Sequence, residues 1–370
     1  MYKSFEVRNF RCFSKLQISD LKRVNLITGV NNIGKTALLE ALFLHCGADN
    51  PSLALTINSM RGIEIVKVEL GGWADAPWNL LFHEFDTSES IEMIGENTET
   101  GRRWLRLRGL PGPVELEKLA EYIKYGRDKS QISLFAPSDS QKGLYSSEGA
   151  KVLELQYQDE KVQKNYYMIL DPKGIRVEPI PPSPPFPTFY LSTRVNPLSK
   201  NEVERFGALE IRGEQESVLR VLQLIEPGLK RLSVIVVAGE PILHGDIGSE
   251  RLMPLPVMGE GMVRLANLTI HIGNASNGVV LVDEIENGVH HSILPKVWKA
   301  LLESARQFNT QIFATTHSRE CITAAHKAFS ESEEYDFRLH RLERVKDEIR
   351  VMTYDQEALG AAIDTGFEVR

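Results

Sequence analysis

Gly29-Val30-Asn31-Asn32-Ile33-Gly34-Lys35-Thr36 is the stretch on which the fold of this chain turns. It fits G-x-x-x-x-G-K-[ST] in full. Its glycines let successive backbone N–H groups turn inward and form an anion nest. Ala37, Leu38, Ala41, Leu42 and His45 follow with helical spacing, so the nest opens a helix whose dipole favours negative charge. VNLIT at 24–28 precedes it as a short apolar run of strand type. Strand, glycine loop and helix in this order hold the phosphates of a nucleoside triphosphate. Gly29, Asn31, Asn32, Ile33, Gly34 and Ala37 would line the cradle. Lys35 would reach the β- and γ-phosphates, and the Thr36 hydroxyl would bind Mg²⁺.

Working outward, a second apolar run, VVLV at 279–282, ends in Asp283 and Glu284. A buried strand ending in Asp-Glu puts carboxylates at the C-terminal edge of a parallel sheet, where ligands of α/β folds bind. Asp283 is then the expected Mg²⁺ partner, and Glu284 the general base that polarises the attacking water. One strand further on, QIFATT runs into His317-Ser318. A right-handed β-α-β crossover predicts that His317 comes close to the Asp-Glu pair, within reach of the γ-phosphate or the water. Each sign is weak alone, and their order after a phosphate loop is what carries weight.

The bulk numbers fit a globular α/β protein. The 370 residues are 42% hydrophobic and 25% charged, with a net charge of −7, which argues against a surface coated in positive charge for nucleic acid. Cys12, Cys46 and Cys321 lie far apart, without zinc-site spacing, and read as free thiols of a reducing compartment. The N-terminus has no apolar signal region and no run spans a bilayer, so a cytoplasmic protein with no membrane role is expected. Four regions differ in texture: 1–60 with the phosphate loop, a β-rich insert lobe at 61–180, a Pro-rich linker and helical segment at 181–254, and an α/β half at 255–370. Within the insert, IEIVKVEL, SIEMIG, RRWLRLRG, VLELQYQ and NYYMILD read as strands, and Val114–Lys124 as a short helix. PPSPPFP at 181–187 reads as a stiff spacer. RRWLRLR (102–108) and RLHRLERVK (338–346) are basic runs whose alternation suits a solvated strand face more than a phosphate track, though DNA remains a possible partner.

These motifs together carry a family resemblance. VRNFRCF…VNLITGVNNIGKTALLEALF resembles the opening of RecF, the SMC-like repair ATPases and the OLD-type (overcoming lysogenisation defect) ATPases. LVDEIENGVHHSILPKVWKAL…QIFATTHSRECI resembles the OLD-type Walker B, D-loop and switch-histidine region. The resemblance implies an ABC-class AAA ATPase head that binds ATP with Mg²⁺ and forms an ATP-dependent head-to-tail homodimer. In such a dimer each nucleotide lies between one P-loop and the partner's signature loop. The signature position falls on Pro256 to Gly261, with Gly259 and Gly261 facing the partner's γ-phosphate and Asn287-Gly288 at the D-loop. Met258 stands where the transporter pattern has serine, and Arg264 is a candidate to supply charge there instead. Arg11 occupies a position used near the nucleotide base. The chain lacks long coiled coils, and the stretch after His317 is too short for a Toprim nuclease domain. It therefore resembles a stand-alone OLD-type ATPase beside a separately encoded Toprim-like nuclease or other effector, in phage defence or DNA repair. The alternatives are an ATP switch with little turnover and a transporter's ATPase subunit.

Overall fold

A computed structural model describes residues 1–63, 76–110, 151–171, 174–193 and 198–370. The Val114–Lys124 helix and most of the IEIVKVEL strand lie outside the described residues.

The strands, in chain order, begin with the antiparallel hairpin β1 (Tyr2–Phe10) and β2 (Phe13–Ile18), followed by β3 (Val24–Thr28), which leads into the glycine loop. The insert supplies β4 (Ile91–Asn97), β5 (Gly101–Leu110), β6 (Lys151–Gln158), β7 (Gln163–Asp171) and β8 (Gly174–Glu178). After them come β9 (Thr188–Leu191), β10 (Arg231–Val237), β11 (Glu240–Asp246), β12 (Met253–Pro254), β13 (Val279–Val282), β14 (Gln311–Thr315), β15 (Phe337–Val345) and β16 (Glu348–Tyr354). The helices of two turns or more are α1 (Lys35–Cys46), α2 (Leu53–Met60), α3 (Lys200–Arg212), α4 (Glu216–Leu222), α5 (Glu260–Asn274), α6 (Leu294–Gln307), α7 (Arg319–Ser330) and α8 (Gln356–Asp364).

The central sheet has the order β16-β15-β3-β14-β13-β9 and is parallel except for β16. Its inner strands are buried on both faces, which explains their unbroken apolar runs. Alternation along each strand sorts the side chains to the two sides. Val24, Leu26, Val280, Val282, Ile312 and Ala314 pack with the helices α3 to α8. Ile27, Val279, Leu281 and Phe313 pack with α1 on the other side. This arrangement, with the glycine loop leaving the C-terminal end of β3, is the α/β P-loop NTPase fold. The C-terminal strands close one side of the sheet, β15 beside β3 and β16 at the edge.

The insert strands do not build a sheet of their own. They add to the hairpin in the order β2-β1-β4-β5-β6-β7-β8, so segments 1–60 and 61–180 share one antiparallel sheet. That sheet covers α1, and Phe5, Val7, Met93, Leu105 and Leu107 join α1's Leu38, Leu39 and Leu42 in one core. Phe5 and Val7 are both buried by alternation along β1, and a bulge between Tyr2 and Ser4 shifts the phase so that Tyr2 is buried as well. The 181–187 spacer is anchored at its end: Phe186 is buried, and Pro187 O accepts from Val279 N at 3.0 Å. A small sheet, β10-β11-β12, accompanies α3 and α4 as the helical segment. Among the described residues no helix is long and apolar enough to cross a membrane.

Candidate active site

β14 lies between β3 and β13, so the C-terminal ends of these three strands converge. The glycine loop, Asp283-Glu284 and His317 leave from those ends. At the loop, Gly29 (φ 140°), Asn32 (φ 60°) and Gly34 (φ 106°) take left-handed backbone conformations, the reason glycine stands at 29 and 34. The N–H groups of Gly34, Lys35, Thr36 and Ala37 meet no acceptor among the described residues, as the first turn of α1 dictates. Four open donors at a helix start fit an oligophosphate.

Lys35 is buried, and its Nζ donates to Gly29 O at 2.8 Å and Val30 O at 3.0 Å, bent over the loop. Burial pulls this ammonium below its ordinary pKa, while the carboxylates of Asp283, Glu284 and Glu286 oppose that pull. The Thr36 hydroxyl donates to the Asp283 carboxylate, 3.0 Å to Oδ2 and 3.2 Å to Oδ1. Residues 247 positions apart thus meet as one oxygen-donor set. A hydroxyl and a carboxylate suit Mg²⁺. Thr36 and Asp283 would hold it, and the ion would neutralise charge on the phosphates.

Glu284 sits at the turn after β13 with φ 48°. Asn287 Nδ2 donates to its Oε2 at 2.8 Å, and His317 Nε2 lies 3.3 Å from its Oε1. Both are partly exposed, as residues awaiting substrate and water must be. The predicted approach of His317 to the Asp-Glu pair is therefore present.

Three residues organise this cluster that sequence reasoning passed over or misplaced. Thr315 Oγ1 donates to Asp283 Oδ1 at 2.6 Å and accepts from Glu284 N at 2.8 Å. Glu286 Oε1 accepts from His317 N at 2.9 Å. Arg264 corrects an expectation: it is buried, not presented to a partner. Its guanidinium donates to Ser192 O (2.6 Å), Asp283 O (2.6 Å) and Glu284 O (3.3 Å) of its own chain. Located one turn inside α5, it ties that helix to the carboxylate-bearing loop. The QIFATT run itself was the available signal for Thr315, since a threonine ending a strand beside two carboxylates can serve both.

Arg11 is not gathered with the phosphate residues. Its guanidinium is spent on Leu80 O (3.0 Å), Asn58 Oδ1 (2.9 Å) and Glu40 Oε2 (3.2 Å), and Glu40 is shared with Arg61. These contacts hold Arg11 in an ion-pair cluster on the flank of α1. Gly259 (φ 118°) caps the start of α5 at the surface, with Val257 71% exposed beside it. Met258 packs against the helical core of its own chain. Gly261 is pressed against the D-loop position: a Cβ there would lie 2.3 Å from Gly288 O.

The basic run on β5 faces acidic residues on the neighbouring strands. Arg108 pairs with Glu154, and Arg106 and Arg102 lie in register opposite Glu92 and Glu96. Arg338 likewise pairs with Asp20, and His340 is buried. All three cysteines are free thiols.

Two family models match the two halves of this site. Residues 1–98 match an "AAA ATPase domain", and residues 175–322 match "AAA domain, putative AbiEii toxin, Type IV TA system". The first span holds Lys35 and Thr36, the second Asp283, Glu284 and His317. Both spans are thus similar to domains of AAA type. The ATP/GTP phosphatase of Helicobacter pylori is 21% identical to the chain over 351 residues, covering 87% of this chain and 86% of the relative. Among solved structures, an SMC head bound to the C-winged helix domain of ScpA aligns at 10% identity, covering 98% of this chain and 99% of that one, with a TM-score of 0.48. The SMC head domain from Thermotoga maritima aligns at 12% identity, covering 96% and 99%, with a TM-score of 0.41. The two domain matches and the Helicobacter pylori relative support nucleotide hydrolysis in general.

Proposed function

We propose that the chain is an ATPase of OLD type that closes head to tail around ATP, hydrolyses it with Mg²⁺ and so switches a separately encoded effector acting on nucleic acid. The observation that carries the reading is the junction of Thr36 with Asp283, beside Glu284 held between Asn287 and His317. One strand end supplies the phosphate cradle, its neighbours a metal carboxylate and a base. That is a hydrolytic set and more than a binding set. Lys35 stabilises charge on the transferring phosphoryl group, and Thr36 and Asp283 hold the metal. Glu284 takes the proton of the attacking water, with His317 fixing its carboxylate.

The head-to-tail arrangement follows from what the subunit leaves open. The α5 N-terminus at Gly259–Gly261 is exposed and presents open N–H groups, a ready anion site for a second subunit's γ-phosphate. With Met258 turned inward, this contact rests on backbone donors and the helix dipole. The effector would be a Toprim-like nuclease or comparable protein, in phage defence or DNA repair, and the site would be cytoplasmic.

The test is steady-state ATPase with oligomer mass for wild type and Glu284→Gln. Removing the base is expected to lower kcat by roughly 10²–10³-fold, within the range for general-base catalysis, and to accumulate an ATP-bound dimer. Unchanged turnover in the variant would remove Glu284 from its role. A monomer in every nucleotide state would remove the dimer.

A further inference from the structure

Glu286 is not part of the metal, base or phosphate set, yet its carboxylate is tied into the site. The loop after β13 is stitched to the end of β14 by successive bonds: Glu284 N to Thr315 Oγ1 at 2.8 Å, Ile285 N to Thr315 O at 3.1 Å, then His317 N to Glu286 Oε1 at 2.9 Å. The last is made by a side chain because the two strands have already parted. Thr316 N is held by Ile27 O (3.0 Å) and Ser318 N by Thr316 Oγ1 (3.0 Å), so among the described residues Glu286 is what fixes the backbone of His317 itself. The ring of His317 in turn lies 3.3 Å from Glu284 Oε1. Glu284, His317 and Glu286 thus close a ring of contacts, carboxylate to imidazole to backbone N–H to carboxylate and back along the loop.

The other oxygen, Glu286 Oε2, is buried and has no donor. Leaving a carboxylate oxygen unpaired in a buried place costs free energy. A residue kept there for stability alone would be better replaced. The Glu286 charge opposes the pull of burial on both Lys35 and Arg264, the arginine that props the Asp283 and Glu284 carbonyls.

We infer that Glu286 is a positioning residue for hydrolysis: by accepting the His317 N–H it holds the imidazole against the base Glu284. The inference rests on the ATPase reading above. It makes a contrast between two conservative changes. Glu286→Gln keeps the reach and an acceptor oxygen but loses the charge. Glu286→Asp keeps the charge but, one methylene shorter, loses the reach to His317 N. Positioning errors near 1 Å cost up to about 10²-fold in rate. The expected result is that Glu286→Gln retains at least about a third of the wild-type kcat while Glu286→Asp loses roughly 10- to 100-fold, with KM for ATP little changed in both. In a His317→Ala background the Asp change is expected to cost less than about twofold more, since the ring it positions is gone. The reverse order, Asp active and Gln impaired, would show that the charge is what counts and overturn the inference. So would equal loss in both, or full additivity with His317→Ala. A parallel fall in thermal midpoint and in ATP affinity would make Glu286 a structural residue, again overturning it. The two readings fail separately: a wild type without turnover ends the ATPase reading, whereas a turning-over wild type with a fully active Glu286→Asp ends this one alone.

Discussion

Thr315 shows how much one hydroxyl can hold at this site. It donates to the metal carboxylate of Asp283 and accepts from the backbone of Glu284, and it is itself fully buried. Thr315→Val preserves shape and removes both bonds, leaving the Glu284 N–H without a partner and Asp283 Oδ1 with only the longer contact from Thr36, at about 1–3 kcal/mol. The expected outcome is a lower thermal midpoint together with a kcat reduced at least about tenfold; calorimetry and a phosphate-release assay would check the pair, and an unaltered kcat would restrict Thr315 to stability. At this scale the sequence named Lys35, Thr36, Asp283, Glu284 and His317 because each belongs to a short pattern with its own chemistry. It did not name Thr315 or Glu286, and it turned Arg264 the wrong way. Those three act through backbone groups or carboxylates on other strands, and no short pattern encodes such neighbours.

Elements rather than residues connect the two faces of the site. The start of α5 rides on the loop after β13, through Arg264 inside and the Gly261–Gly288 approach at the surface. A methyl group at 261 would sit 2.3 Å from Gly288 O, closer than packed atoms allow, so helix and loop would have to separate. Gly261→Ala is therefore expected to cost roughly 1–3 kcal/mol, as overpacking does, and to lower kcat by displacing the loop that carries Glu284. A melting curve and turnover measured side by side would check it, and a stable, fully active variant would mean that the approach is slack. Element types were legible, from the apolar runs of β3, β13 and β14 to the helical spacing of α1. The place of β4–β8 was not. They read as hairpins of a separate lobe, yet they extend the sheet of β1 and β2, because edge pairing between distant strands is set by register and burial.

For the whole molecule, two buried histidines make stability depend on pH. His45 lies between α1 and the antiparallel sheet, bonded to Tyr2 OH (2.8 Å) and Arg103 O (3.1 Å), and His340 lies in β15 beside Asn25. Burial pushes both down from the ordinary 6.5 to about 3. Between those values the unfolded chain binds protons that the folded chain refuses. Stability is therefore greatest above about pH 6.5 and falls as pH drops, by at most about 1.4 kcal/mol per unit for each histidine. Thermal midpoints from pH 7 to pH 5 are expected to decline, and His45→Gln with His340→Gln is expected to flatten that decline relative to wild type. A slope identical in the double variant would assign the acid sensitivity to other groups.

The sequence by itself determined the chemistry of each strand end: a phosphate loop after one apolar strand, paired carboxylates after another, a histidine after a third. These are local patterns, fixed by backbone freedom at glycine, by helical and strand periods, and by which side chains can bind phosphate or metal. Only the tertiary structure decided that β14 stands between β3 and β13. That order brings Thr36 onto Asp283 and His317 onto Glu284, turns Arg264 inward and spends Arg11 on Glu40. The physical reason is that strand order and burial are settled by the packing of the whole core, which no window of sequence contains.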